Sequence, residues 1–136
     1  MLDIKFIREN ADLVKEAAIK KNITFDITEL LTVDDNRRAL LLDVEAMRGK
    51  QNEIANAVPR AASTEERENL IAESKSMKDV LQGKEGELQE VMKAWHGLMV
   101  QVPNIPDISV PEGKEDSDNV EVRTWGTIPA FSFTPK

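Results

Sequence analysis

The sequence predicts an all-α protein: a long antiparallel two-helix coiled-coil hairpin, short N-terminal helices packed at its base, and an extended or β C-terminal tail. Three observations carry this reading. Two long stretches each repeat a seam in alternating steps of four and three, a short Pro-containing turn separates them, and after Val102 the pattern gives way to Pro, Gly and charge. The first seam runs Val33, Arg37, Leu40, Val44, Met47, Gln51, Ile54 and Val58. The second runs Leu70, Ser74, Met77, Leu81, Lys84, Leu88, Val91, Trp95, Leu98 and Val102. That period puts one apolar stripe on each helix. Helices joined by so short a turn fold back on each other.

The elements follow in order. Leu2 to about Lys21 reads as helix on the apolar face of Leu2, Phe6, Ile7, Leu13, Val14 and Ala17, with a break near Asn10. The Asn10 side chain is expected to cap a second short helix by accepting from a free N–H. Asp26-Ile27-Thr28-Glu29 has the spacing of a capping box and is expected to open a short helix ending at Leu31. Thr32 with Asp35 repeats the signal, so the outgoing arm is expected over about 33–58, and Asp34 and Asp35 read as helix-start acids. Residues 59–63 form the tip. Ser63 with Glu66 opens the return helix, expected over about 64–101, and acidic Glu65 and Glu66 suit a positive helix N-terminus. The return helix is the longer, so its surplus near Trp95 and Leu98 needs another partner, which the N-terminal helices supply.

Some residues inside these helices leave two readings open. Gly49, Gly83, Gly86 and Gly97 fall off the seam and mark either an arm that bends or tolerated surface positions. Arg37, Gln51, Ser74 and Lys84 lie on the seam and either fix register or snorkel outward. Trp95 reads as packing and His96 as a surface residue.

Beyond Val102, Pro103, Pro106, Pro111 and Gly113 set an extended connector. Val120, Val122 and Thr124 alternate with Glu121 and Arg123 as a strand does, and Phe131-Ser132-Phe133 starts another. Strands need partners for their backbone groups, so these are expected to pair with each other, with the base of the bundle, or with a neighbouring chain. The chain thus divides into a helical arm, 1–102, and a linker with the start of a second domain, 103–136.

Composition narrows function. The formal net charge is −7, which argues against indiscriminate binding to DNA, RNA or anionic lipid but allows a local basic patch. There is no cysteine, which excludes disulfides and thiolate metal sites and agrees with a reducing, cytoplasmic setting. No apolar run is long enough for a membrane span, and the N-terminus lacks the pattern of a signal peptide. No Gly-rich phosphate loop, nucleophile with its base, or metal-ligand spacing is present. The candidates for phosphate contact are Arg48, Lys50 and Arg60 near the tip, then Lys75 and Lys78 on the return helix; Asn52 is expected to face water.

The tail adds a resemblance. Val102-Pro103-Asn104-Ile105-Pro106, Ser109-Val110-Pro111-Glu112-Gly113 and Asn119-Val120-Glu121-Val122-Arg123-Thr124-Trp125-Gly126 together resemble the seryl-tRNA synthetase family. The opening from Met1 to Asn10 is similar, as are Asp43-Val44-Glu45-Ala46-Met47-Arg48 and Gln51-Asn52-Glu53-Ile54, in order along the whole chain. The resemblance implies a tRNA-binding arm that reaches across a homodimer and grips the elbow and long variable arm of serine tRNA. It implies a following class II catalytic domain that activates serine with ATP and Mg²⁺. None of that domain's motifs stands in these residues, so no cofactor is expected in this stretch. One departure is visible: the family's tip is usually rich in Lys and Arg, whereas residues 48–60 carry a formal charge of only +2, from Arg48, Lys50 and Arg60 against Glu53. Weak binding with a shallow salt dependence is therefore expected. The acidic charge and thin tip leave an alternative, a coiled-coil protein–protein module without RNA binding. A prefoldin-like chaperone arm shares the hairpin but not the Pro-rich tail.

Overall fold

The computed structural model describes residues 2–127 and 130–134; Met1, Ile128, Pro129, Pro135 and Lys136, and the parts of the opening and tail that include them, lie outside the description. Four α-helices follow one another: α1 (Ile4–Glu9), α2 (Ala11–Lys20), α3 (Ile27–Ala57) and α4 (Thr64–Met99). Short 3₁₀ turns sit at Val58–Arg60 and Asp116–Asp118.

Each helix boundary has a local cause. The Asp3 carboxylate accepts from the Lys5 N–H at 2.6 Å and opens α1. Asn10 marks the break, but not as a side-chain cap for α2. Its amide instead donates to the Phe6 carbonyl at 3.0 Å, the oxygen that also accepts from the Asn10 backbone N–H at 2.9 Å, and so closes α1. Asn22 ends α2 in the left-handed region at φ 53, which its short polar side chain tolerates, and the Ile23 N–H returns to the Ala18 carbonyl at 2.9 Å.

The outgoing arm begins earlier than the capping pattern at Thr32 predicts. Asp26 caps α3 by accepting from Thr28 N–H at 2.8 Å and Glu29 N–H at 3.4 Å, and the helix then runs unbroken past Val33. Thr32 lies inside it and donates its hydroxyl to the Thr28 carbonyl at 2.8 Å, the back-bond open to a mid-helix Thr. At the far end Pro59 sits in the 3₁₀ turn. Ser63 Oγ accepts from Glu66 N–H at 3.1 Å, and the Glu66 carboxylate accepts from Ala62 N–H at 2.7 Å. The chain is thereby turned and restarted within a few residues, and α3 and α4 pack along their lengths as an antiparallel hairpin. With 31 and 36 residues they extend about 46 and 54 Å at a rise of about 1.5 Å per residue.

The seam is where the sequence placed it. Every seam position from Val33 to Val58 and from Leu70 to Val102 is buried or half-buried, with Leu40, Val44 and Leu81 the most enclosed along the shaft. The surplus of α4 packs at the base, where Ile7, Val14, Ile27, Leu30, Met99 and Val102 form the core and Trp95 and Leu98 lie against it. A small bundle of α1, α2 and the proximal ends of α3 and α4 therefore anchors the arm.

One charged group is buried in this anchor. Asp34 has no solvent exposure and lies in the second turn of α3, not at a helix start. Its carboxylate accepts from Arg8 Nη1 at 2.9 Å and from Arg37 Nε and Nη2 at 3.0 and 2.7 Å. Arg8 also pairs with Asp35 through Nη2. The Arg37 guanidinium lies 4.8 Å from the Trp95 ring centroid, a cation–π arrangement across the hairpin. Seam residue Arg37 thus ties α3 to α4, whereas seam residue Lys84 pairs along its own helix with Glu87 at 2.8 Å. That hydrogen bond and charge hold the Lys84 ammonium pKa above its ordinary value.

The tail is extended as expected, but its strands are not formed among the described residues. Val122 and Trp125 are 95% and 90% exposed, and Val120, Phe131 and Phe133 are also exposed. A lone strand leaves its N–H and C=O groups without a partner edge, and among the described residues no second strand lies beside these. Phe131 and Phe133 instead pack against each other in a tilted pair with centroids 5.2 Å apart. The connector is tied down nearer its start: Val102 and Pro103 are buried, and the Asn22 amide donates to the Gly113 carbonyl at 3.1 Å.

Two stability predictions follow from this packing. Asp34→Ala leaves Arg8 and Arg37 without their shared partner and should lower unfolding free energy by about 3–5 kcal/mol. Asp35→Ala, at a side chain 64% exposed, should cost under about 1 kcal/mol. Urea denaturation of the two variants checks the contrast. Separately, α4 passes unbroken through Gly83 and Gly86, where an added Cβ meets open space. Gly83→Ala and Gly86→Ala should each stabilise by about 1 kcal/mol, read as a rise in thermal midpoint; a fall would show that the arm needs to bend there.

Candidate nucleic-acid interface

The hairpin sorts its cations by helical spacing. On α3, Arg48 and Lys50 are two residues apart, about 200° around the helix axis, so they lie on opposite flanks of the seam. On α4, Lys75 and Lys78 are three apart and share a flank. Arg67, eight residues before Lys75, falls on that flank too, with half-exposed Ile71 between them.

The flanks of Arg48 and Lys78 meet. A shallow groove of about 670 Å³ runs between the helices there, lined by Arg48, Gln51 and Asn52 from α3 and by Lys78, Leu81, Gln82 and Glu85 from α4. Its floor is apolar at Leu81, which is 6% exposed, and its walls are amides and charges. Arg48 crosses to the other helix: Nε and Nη2 both donate to Glu85 Oε1, at 3.0 and 2.7 Å. Arg67, Lys75 and Lys78 are exposed and enter no ion pair among the described residues.

Arg60 is placed elsewhere. It gathers with Glu53, Asn56, Ala57 and Glu66 around the turn. Glu53 and Glu66 are acids that helical spacing sets away from Arg48 and Lys78. Lys50 has Glu53 three residues on, at neighbouring spacing. Of the five cations expected from the sequence, Arg48, Lys75 and Lys78 therefore share one face, while Lys50 falls on the opposite flank beside Glu53 and Arg60 lies at the turn with Glu53 and Glu66. Asn52, expected to face water, is exposed at the groove's edge. Arg67 was missed, although its spacing to Lys75 and Lys78 could have found it. Glu85 was missed because its partner is 37 residues away in sequence.

This face offers guanidinium and ammonium donors over an amide-lined groove, the chemistry of phosphate-backbone contact. Among the described residues no group of His, Cys, Asp and Glu could hold a metal, His96 is exposed, and no helix is long and apolar enough to cross a membrane.

Known proteins with this arrangement share more than the hairpin. The family model described as seryl-tRNA synthetase N-terminal domain matches residues 1–106. The serine–tRNA ligase of Deinococcus radiodurans is 46% identical over 99% of this chain and 32% of its own length. That of Carboxydothermus hydrogenoformans is 38% identical over 100% of this chain and 32% of its own. The crystal structure of seryl-tRNA synthetase from Pyrococcus horikoshii complexed with ATP superposes with a TM-score of 0.73 at 34% identity, covering 93% of this chain and 29% of that one. The chain thus spans about a third of the length of the curated relatives it matches. A capped hairpin on a small helical base, matched in sequence from end to end of the arm, places it by descent as well as shape: the chain belongs to the seryl-tRNA synthetase N-terminal domain family.

Proposed function

We propose that residues 1–102 form the tRNA-binding arm of a serine–tRNA ligase, and that 103–136 lead into its class II catalytic domain. The arm recognises the elbow and long variable arm of serine tRNA and presents that tRNA for aminoacylation by a homodimeric, cytoplasmic enzyme. ATP and Mg²⁺ serve serine activation in the catalytic part; the arm's own residues bind and orient. The observation that carries this reading is the family match over residues 1–106, on a hairpin that brings Arg48, Arg67, Lys75 and Lys78 to one face.

The charge pattern supports contact through Arg48, Arg67, Lys75 and Lys78. Arg60, set beside Glu53 and Glu66, and Lys50, three residues from Glu53, contribute less. Phosphate contacts displace condensed counterions, so affinity falls with salt in proportion to the phosphates neutralised. Four cations give a slope of roughly −3 in log affinity against log salt.

The acidic flank favours one second reading, a hairpin that pairs with another protein helix. Sedimentation showing self-association that RNA does not alter would support it.

Titration of the chain with serine tRNA, and with a tRNA lacking the long variable arm, tests the leading reading. Tighter binding to serine tRNA is expected; equal binding, or none even at low salt, removes it. Lys75→Gln and Lys78→Gln should each flatten the salt slope by roughly 0.7–0.9, while Lys50→Gln should leave it nearly unchanged. Binding isotherms across a salt series check both.

A further inference from the structure

We propose that Glu85 is a positioning residue for RNA binding: its carboxylate holds the Arg48 guanidinium side-on, so that the remaining N–H groups of Arg48 meet a phosphate at the groove. The inference rests on the tRNA-arm reading and assigns a role within its interface.

The geometry is specific. Arg48 is fixed through Nε and one hydrogen of Nη2, both on a single oxygen of Glu85. The two hydrogens of Nη1 and the second hydrogen of Nη2 stay uncommitted. The side chains are 60% and 39% exposed, so the pair lies open at the groove rim and an incoming anion can reach it. The pair also joins α3 to α4 across the groove that Leu81, the most buried residue of α4 along the shaft, helps to line. Gln51, Asn52 and Gln82 line the same groove and supply amide donors and acceptors for sugar hydroxyls. A free Arg must lose rotamer freedom when it binds, whereas one already held by a carboxylate has lost that freedom before the ligand arrives.

The alternative role for Glu85 is repulsion: an acid among cations weakens the local field for phosphate. The two roles predict opposite signs for one substitution. Glu85→Gln removes a negative charge, so a purely repulsive Glu85 gives tighter binding and a steeper salt slope. A positioning Glu85 gives weaker binding, because the amide holds Arg48 less firmly than a carboxylate does.

The test titrates serine tRNA into the parent chain, Glu85→Gln, Arg48→Gln and the double variant, across a salt series. Thermal midpoints run in parallel should barely move, since exposed pairs add little to stability. The expected result is a loss of about threefold to tenfold in affinity for Glu85→Gln, with no steeper salt slope, and no further loss when the change is made in the Arg48→Gln background. Tighter or unchanged binding by Glu85→Gln overturns the positioning role while leaving the arm reading intact. So does a loss that persists without Arg48. A parent chain that binds neither serine tRNA nor the control at low salt overturns the arm reading, and this inference with it.

Discussion

The buried carboxylate of Asp34 is the point through which the arm is joined to its base. A hairpin of two helices can slide or splay unless something other than grease marks its position, because Leu, Val and Met contacts are nearly equivalent one turn away. Asp34 takes an arginine from α1 and another from its own helix, and the second of these lies over Trp95 on α4. Three helices are thus referred to one residue. Enclosing a charge is costly unless it is fully paired, so any shift that separates these groups is strongly disfavoured. Register along the seam, and with it the alignment of Arg48 with Lys78 and Glu85, is set at this end.

The rest of the hairpin's chemistry follows from that register. Once the seam faces inward, the 3.6-residue period decides which cations share a side. Lys75 and Lys78 fall together with Arg48, while Lys50 is carried round to the opposite flank, beside Glu53, despite being its near neighbour in sequence. The protein is acidic as a whole, with a formal charge of −7, yet it holds a basic face because like charges are separated by flank and not by segment.

The features legible in the sequence were the periodic and the local ones. The seam, the turn at Pro59, the Ser63–Glu66 start of α4 and the need for a partner near Trp95 all depend on residues within a few turns of one another. What escaped depended on distance or competition. Asp34 looked like a helix-start acid because nothing nearby announces that Arg8, 26 residues earlier, closes over it. Thr32 carried a capping pattern, but Asp26 had already capped the helix and Thr32 put its hydroxyl on the Thr28 carbonyl of the same helix. The alternation of Val120, Val122 and Thr124 is a real strand pattern, but a pattern only states a preference, and a strand also needs an edge to join. Arg67 was legible and overlooked, since a window of residues near the turn hides a face that extends along α4.

The enclosure of the seam is uneven along the shaft. Val44 is 1% and Leu81 6% exposed, whereas Ile54, Val58, Leu70, Ser74 and Met77 are only half-buried. Loosely covered backbone opens at lower free energy than backbone over a dry contact. Amide protons toward Pro59 should therefore exchange soonest, with protection deepening toward Leu81. The groove at Arg48 sits near the boundary between these regimes. The hairpin therefore stiffens from its turn toward Leu81, with its cation-bearing groove at the place where one regime gives way to the other.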